Sequence, residues 1–443
     1  MTAASSYKSF LLALLLLAPS IADPLSLQEA GLKALSNNPA NREAQARVEA
    51  DRARFGQSQA PYYPTITAGL GYLTDEKRED LEHTYDQEES LNLVGKQLLT
   101  DFGKRRHTSK QAELAYQATE KASEAVSQSL LSGVGIAYFR ALSAAQSVFI
   151  QKESLRLGRL RLEEAQRLFD EGKRPLEDLS LAESDVSAIV VVLIQAEGVE
   201  QTARIQLANA MGMAESYKGP LVNCSMAERE WILESALDLA QAARPDLADA
   251  RLRTKSAESG IGAAEAAYRP DISVSAGYGF LDKGFTPQDY LWEVRLNLNF
   301  PILNEPLLSE SVNLAEAQTE QAEAREAGRS NDIASEVQTA LVNLEATRLN
   351  TRAVHRATLR AYKTFTLTWT NYRLGQGNAR DVSNAQRDLI QALLTQNAVY
   401  TQLQLAELEM LRSTGQLAVE SLPAETGDAR NLYWPFADQA VER

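Results

Sequence analysis

The chain carries one unit twice. Pro39–Tyr72 reads PANREAQARVEADRARFGQSQAPYYPTITAGLGY, and Pro245–Tyr278, 206 residues later, reads PDLADARLRTKSAESGIGAAEAAYRPDISVSAGY. Without a gap, ten of these 34 positions are identical, among them Gly56/Gly262, Tyr62/Tyr268, Pro64/Pro270, Ile66/Ile272 and Gly71/Gly277. Farther along the offset falls to 203, pairing Gly172 with Gly375, Asp178 with Asp381, Ala182 with Ala385 and Gly212 with Gly415. A shift of three between stretches that otherwise stay in phase is a small length change in one connecting segment. A repeat of this kind is a structural unit used twice. The chain divides accordingly into a first repeat at 23–213, a linker at 214–230, a second repeat at 231–416 and a tail at 417–443.

Each repeat reads as a helix, two strands, a very long helix, a tight turn and a returning helix. Proline is absent from Thr65 to Arg174, from Leu176 to Gly219 and from Leu307 to Leu422, and outside the strands these stretches are rich in Ala, Leu, Glu, Gln and Arg, all strong helix formers. The long helices, predicted at 104–171 and 307–374, have 68 residues each, about 100 Å at 1.5 Å per residue. The returning helices, predicted at 175–212 and 378–415, reach only part of the way back. End to end with the opening helices Leu25–Ser58 and Trp231–Glu265 they total roughly 110 Å. The linker and the tail then belong to a belt at the middle of a rod.

The strands carry more diagnosis. Pro64 and Pro270 end the opening helices, and strict alternation follows. Hairpins are predicted at 64–99 and 270–301. Ile66, Ala68, Leu70 and Tyr72 share one face against Thr65, Thr67, Gly69 and Gly71; Ile272 to Phe280 repeats the pattern; Trp292, Val294, Leu296, Leu298 and Phe300 oppose Glu293, Arg295, Asn297 and Asn299. The second strand is weakest, with Leu91 and Leu93 opposing Asn92 and Val94. Nine or ten residues suit a tilted membrane-spanning strand, and Tyr62, Tyr63, Phe102, Tyr268, Tyr290 and Trp292 lie near the strand ends, where interfacial aromatic girdles sit. Thr74–Glu89 holds eight acids against Lys77 and Arg78 and is expected to form a solvated loop.

Four strands cannot close a cylinder, and open edges would present unpaired N–H and C=O groups to lipid at several kcal/mol each. Oligomerisation is therefore required. The Gly/Ser/Thr-rich lining calls for open volume, favouring three chains and twelve strands over two.

The N-terminus, MTAASSYKSFLLALLLLAPSIADP, has one Lys, an apolar run and a small-x-Ala site at Ser20-Ile21-Ala22; residues 1–22 are expected to be a secretory signal peptide. No Cys follows the run, so no lipid-anchored start is expected. The single Cys224 cannot form an internal disulfide. No later stretch approaches ~18 consecutive apolar residues, so no transmembrane helix is expected. A formal charge of −14 argues against nucleic acid, which selects basic surfaces. The three histidines, His83, His107 and His355, lie far apart in the chain, and no Cys/His cluster, phosphate loop or nucleophile–base pattern is present. The sequence therefore calls for no enzyme activity, metal or cofactor. A secreted coiled-coil structural protein is the rival class; it accounts for the helices but not for the alternating strands.

Taken together, the duplicated unit, YYPTI and YRPDI leading into strands, Asp101-Phe102-Gly103, and Tyr372-Arg373-Leu374-Gly375 before Asp381-Val382 resemble the TolC family of outer-membrane efflux ducts. The resemblance spans essentially the whole chain after residue 22. It implies a homotrimer whose twelve-stranded outer-membrane β-barrel continues into a periplasmic α-helical barrel, in the outer membrane of a Gram-negative bacterium. It also implies a periplasmic adaptor (membrane fusion protein) and an inner-membrane RND or ABC pump as partners. By the same resemblance, the periplasmic gate falls on Tyr372 and Asp381; Asp178 is the first repeat's match to Asp381, and Arg380 is expected to help Tyr372 hold the tips together. The family's second acid position is Asn384 here, and a basic tip position is Gly377. The tip turns, with Gly172, Lys173 and Arg174 in one and Gly375, Gly377 and Asn378 in the other, are expected to contact the adaptor.

Overall fold

The structure is a computed structural model that describes residues 24–79, 82–282, 289–302 and 304–423. The expected signal peptide, residues 80–81, the tip of the second hairpin at 283–288 and the chain beyond 423 lie outside the described residues, as do the side chains of 73–90 and 280–291. In chain order the elements are α1 Leu27–Asn37, α2 Pro39–Gln59, β1 Thr65–Glu79, β2 Glu82–Thr100, α3 Lys104–Asp170, α4 Leu176–Ala210, α5 Leu233–Ala243, α6 Pro245–Ala266, β3 Asp271–Asp282, β4 Asp289–Asn299, α7 Glu305–Arg373 and α8 Ala379–Ser413.

Two features differ from the sequence reading. Each opening helix is two helices, broken at Asn38 and Arg244, whose backbones are extended (ψ 126° and 121°). Pro39 and Pro245 follow directly, and the ring of a proline excludes the helical region for the residue before it. The second difference is in the first hairpin. The stretch expected to be an acidic loop continues the ladder instead, from Tyr72↔Glu89 out to Glu79↔Glu82. Backbone pairing in an antiparallel ribbon is indifferent to side-chain polarity wherever both faces are wet.

The chain forms two compact units. One comprises Glu43–Ala125 and Pro245–Asp332 and contains the sheet, ordered β1-β2-β3-β4 and antiparallel throughout. The central pairing, β2 with β3, joins the two repeats. The apolar face lies open: Leu70 is 81% exposed, Trp292 77% and Leu296 72%. Burying one such side chain is worth ~1.5–3 kcal/mol, so a sheet that left this face in water would forfeit most of its stabilisation. Among the described residues, the outer sides of β1 and β4 have no partner strand. Where the ribbon meets α3, the Asp101 carboxylate accepts from the backbone N–H of Gly103 (3.3 Å) and Arg105 (2.7 Å). Arg105 in turn donates to the carbonyls of Pro61, Leu98 and Leu99 and lies over the Tyr62 ring at 4.6 Å.

The other unit comprises Met1–Arg42, Val126–Arg244 and Ile333–Arg443. Its main core joins α1 (Leu27, Ala30, Ala34), α3 (Val134, Tyr138, Phe139), α4 (Leu207) with its capping residue Met211, and α8 (Leu408, Leu411) to the linker and the tail through Cys224, Met226, Leu417 and Leu422. Leu25 forms a parallel bridge with Leu221, and the Tyr138 hydroxyl donates to the carbonyl of Leu25. Burial pushes the Cys224 thiol up to about 12, which leaves it an inert core side chain. A second core packs Ile150 and Leu168 of α3 and Phe365 and Tyr372 of α7 against Val382, Leu389, Ile390 and Leu393 of α8.

The repeats use their returning helices differently. At equivalent positions, Leu393, Asn397 and Leu408 of α8 are buried whereas Val190, Ile194 and Ile205 of α4 are exposed. Both α3 and α4 contain a window long and apolar enough to cross a membrane by length and composition, and little of the α4 window is buried. An unbroken apolar run was the signal sought in the sequence, so these interrupted windows escaped it.

Gly212 and Gly415 make the same joint in both repeats. Each closes its helix with a positive φ (72° and 73°), and each lies against the break between the opening helices. A Cβ on Gly212 would stand 2.7 Å from the Asn38 Cα, and one on Gly415 2.9 Å from the Ala243 carbonyl carbon. The Asn38 side chain donates to the Ala210 carbonyl (3.1 Å) and Arg244 to that of Ser413 (3.2 Å). Alanine at either glycine should cost about 2–4 kcal/mol, from left-handed backbone strain of ~1–2 kcal/mol plus backbone displacement. Gly172→Ala, with nothing within 4 Å of its Cβ, should cost only the strain. Thermal unfolding of the three variants tests this; equal losses would contradict the joint.

Candidate functional site at the helix tips

Both turns are closed by the hydrogen bonds of a helix that ends on glycine. In the first, Gly172 N–H donates to the Phe169 carbonyl (2.9 Å) and Lys173 N–H to that of Leu168 (2.9 Å). In the second, Gly375 donates to Tyr372 (3.0 Å), and Gln376 and Gly377 to Asn371 (3.0 and 3.2 Å). Asn378 caps α8 by accepting from the Arg380 N–H at 3.1 Å. Lys173 is exposed and pairs with Glu171 at 2.7 Å.

Arg174 ties the turns together. Its guanidinium donates to the Gly377 carbonyl (2.6 Å), lies 4.9 Å from the centre of the Tyr372 ring and reaches within 3.9 Å of the Asp178 Oδ2. That oxygen is shut off from solvent and accepts no hydrogen bond among the described residues, so Arg174 is its nearest source of positive charge. Tyr372 is 2% exposed and stacks on Trp369 with ring centres 6.0 Å apart. Burial raises its phenol above the usual range; the Asp178 charge adds to this and Arg174 opposes it.

Arg174 and Gly377 occupy equivalent positions in the two repeats, 203 apart. Arg174 thus reaches across to the carbonyl of its own counterpart position. A side chain at 377 would crowd the Tyr372 backbone N at 2.9 Å. Glu177 and Arg380 are equivalent in the same way and form an exposed ion pair at 3.0 Å. A buried link lies further along the helices: Asp185 accepts from Arg161 and from the Ser383 hydroxyl (2.6 Å).

Of the residues singled out from the sequence, the structure gathers Tyr372, Asp178, Arg174 and Gly377 into one cluster. Arg380 joins through Glu177. Asp381 and Asn384 are exposed on α8; Asn384 accepts from Arg387 at 2.6 Å, and neither meets Tyr372. Glu177, Trp369 and the Arg161–Asp185–Ser383 link were not foreseen. Opposite charges at equivalent repeat positions, Glu177 and Arg380, were the available signal. Among the described residues no group of three or more His, Cys, Asp or Glu could hold a metal ion.

The sequence model described as "Outer membrane efflux protein" matches this chain twice, at residues 32–213 and 236–416. Protein CyaE of Bordetella pertussis is 24% identical over 412 residues, covering 91% of this chain and 86% of that protein. The cation efflux system protein CusC of Escherichia coli O6:H1 is 25% identical over 377 residues, 81% and 78% of the two. Among solved structures, CusC superposes with a TM-score of 0.78 at 22% identity, covering 89% of this chain and 92% of the other. The CmeC outer membrane channel of Campylobacter jejuni gives 0.78 at 17%, covering 92% and 88%. The fold is the one read from the strands and helices: four strands and long helices per chain, shared with these channel structures.

The cluster predicts that Arg174→Ala, which removes the hydrogen bond to Gly377 and the charge over Tyr372, weakens the contact between the turns by about 1.5–3 kcal/mol. Hydrogen exchange at Gly375–Arg380 should quicken at least tenfold, while Lys173→Ala leaves it unchanged.

Proposed function

The chain belongs to the outer membrane efflux protein family, and we propose that three copies form a passive exit duct across the outer membrane and the periplasm. A periplasmic adaptor and an inner-membrane pump of the RND or ABC class supply its substrates. The observation that carries this reading is the sheet: an uncovered apolar face backed by a polar one, with both outer edges lacking a partner strand. Lipid covers such a face, and neighbouring copies fill such edges, because hydrocarbon offers backbone groups no other partner. The exposed apolar side chains of α4 ask for the same neighbours in the helical part. CusC is a cation efflux protein and the Pseudomonas putida relative TtgI a toluene efflux protein; the cargo of this chain follows from its pump. A secreted coiled-coil protein would leave the sheet's apolar face without purpose.

In this reading the tip cluster is the periplasmic gate. Tyr372, Asp178 and Arg174 hold the two turns of one chain together. Asp381, exposed in the first turn of α8, is free to meet its copies near the axis as an anionic ring, with Asn384 and Arg380 beside it. Gly172, Lys173, Gly375 and Asn378 form the outer surface that the adaptor meets.

Detergent-purified protein should have the mass of three chains and conduct in planar bilayers; single copies, or protein that partitions wholly into buffer, would end the proposal. Asp381→Ala should reduce block by divalent cations entering from the tip side. Conductance and block unchanged by that substitution would remove the anionic ring while leaving the duct intact. A cysteine placed at Lys173 should crosslink to the adaptor, and failure to capture it would count against the tip contact.

A further inference from the structure

The polar face of the sheet carries an arrangement that neither the gate nor the membrane fit requires. Register places Thr65 opposite Lys96, Lys96 opposite Ser275 and Ser275 opposite Arg295, so these four residues form one row across the four strands. The row lies at the helix end of the sheet, since β1 begins at Thr65. Its two cations occupy β2 and β4, every second strand of the order β1-β2-β3-β4. The residues between them are small hydroxyls, which leave both long side chains room.

Repeated three times around a closed barrel, that order puts six cations on alternate strands. Neighbouring strands lie ~4.8 Å apart, so successive cations stand roughly 10 Å apart along the wall. This matches the Debye length of about 8–10 Å at physiological salt, and their fields overlap rather than being screened singly. Among the described side chains of this face, the other charges are Glu293 and Asp271. Glu293, in the adjacent row, pairs with Arg295 at 2.5 Å, and Asp271, at the foot of β3, accepts from Asn299 at 3.0 Å. Lys96 is exposed and has no acidic partner among the described residues. The row itself is positive through Lys96, with the uncancelled Asp271 carboxylate four residues away along β3 at the helix end of the sheet, inside a protein of formal charge −14.

We propose that Lys96 and Arg295 from three chains form a cationic ring at the inner mouth of the barrel that binds multivalent anions, solutes bearing several phosphates or carboxylates. The ring rests on the trimeric duct reading and adds a site to it, opposite in sign to the acidic ring at the tips. A small anion is held by several ammonium and guanidinium groups at once, and Arg295 presents a planar fork suited to phosphate or carboxylate oxygens. Glu293 limits the affinity by neutralising its neighbour, which keeps the site weak enough to release what it attracts.

The test uses the intact trimer in non-ionic detergent at low salt, with inorganic triphosphate titrated calorimetrically, so that no open gate is needed. Wild-type protein should bind, and the Lys96→Gln/Arg295→Gln variant should bind about tenfold more weakly or worse, a loss of ~1.4 kcal/mol or more. Glu293→Gln should bind several-fold more tightly, a gain that general damage to the sheet would not produce. All three side chains are exposed, and the variants should keep the trimer's mass. Absence of binding to wild type, or an affinity that neither variant moves, would overturn the ring while the duct stood. A protein that never assembles as a trimer would overturn both, and its mass would reveal that before any titration.

Discussion

The structure depends on a property of hydrocarbon: it offers backbone amides no hydrogen bonds. A sheet of four strands with bare margins cannot persist there, yet its apolar face cannot persist in water. Both demands are met when copies of the chain share one closed wall. The arrangement of each chain follows. Each repeat supplies one hairpin, the first longer than the second, and in the proposed trimer a chain contributes one third of the wall.

Internal duplication gives the chain two nearly interchangeable halves, and function lies where they stop being interchangeable. At the middle core the halves agree closely: Gly212 and Gly415 fill matching joints against matching helix breaks. At the tips they diverge. Arg174 faces Gly377, and Glu177 faces Arg380, so the two turns complement one another where identical ones would repel or leave a gap. The returning helices diverge too, α8 buried in its own chain and α4 left with an apolar stripe for a neighbour.

Much of this could be read from the amino acids alone, because the informative signals were periodic. Alternation from Ile66 to Tyr72 and from Trp292 to Phe300 set which side chains share a face, and the ladder register agrees. What escaped was local or relational. Asn38-Pro39 and Arg244-Pro245 broke helices that composition read as continuous, since propensity sums over a window and one proline acts at one bond. The acidic ribbon from Thr74 to Glu89 read as a loop because charge was weighed and pairing was not. At the tips, sequence placed Tyr372 and Asp178 but not Arg174 over that ring, a contact that depends on which turn lies beside which. Asp381 and Asn384 sit apart from the cluster, exposed on α8.

The central ladder of the sheet has a consequence for how the protein is made. β2 pairs with β3, and Leu93 meets Tyr278 across 185 residues of chain. On the export route that the proposed duct requires, the first ribbon waits, apolar side uncovered, until the second half has followed. Contacts so remote in sequence close slowly, and bare strand margins invite mispairing meanwhile. Biogenesis of such a chain should depend on holdase chaperones that shelter the early hairpin, and a stalled translocation intermediate should be more prone to aggregate than the finished subunit.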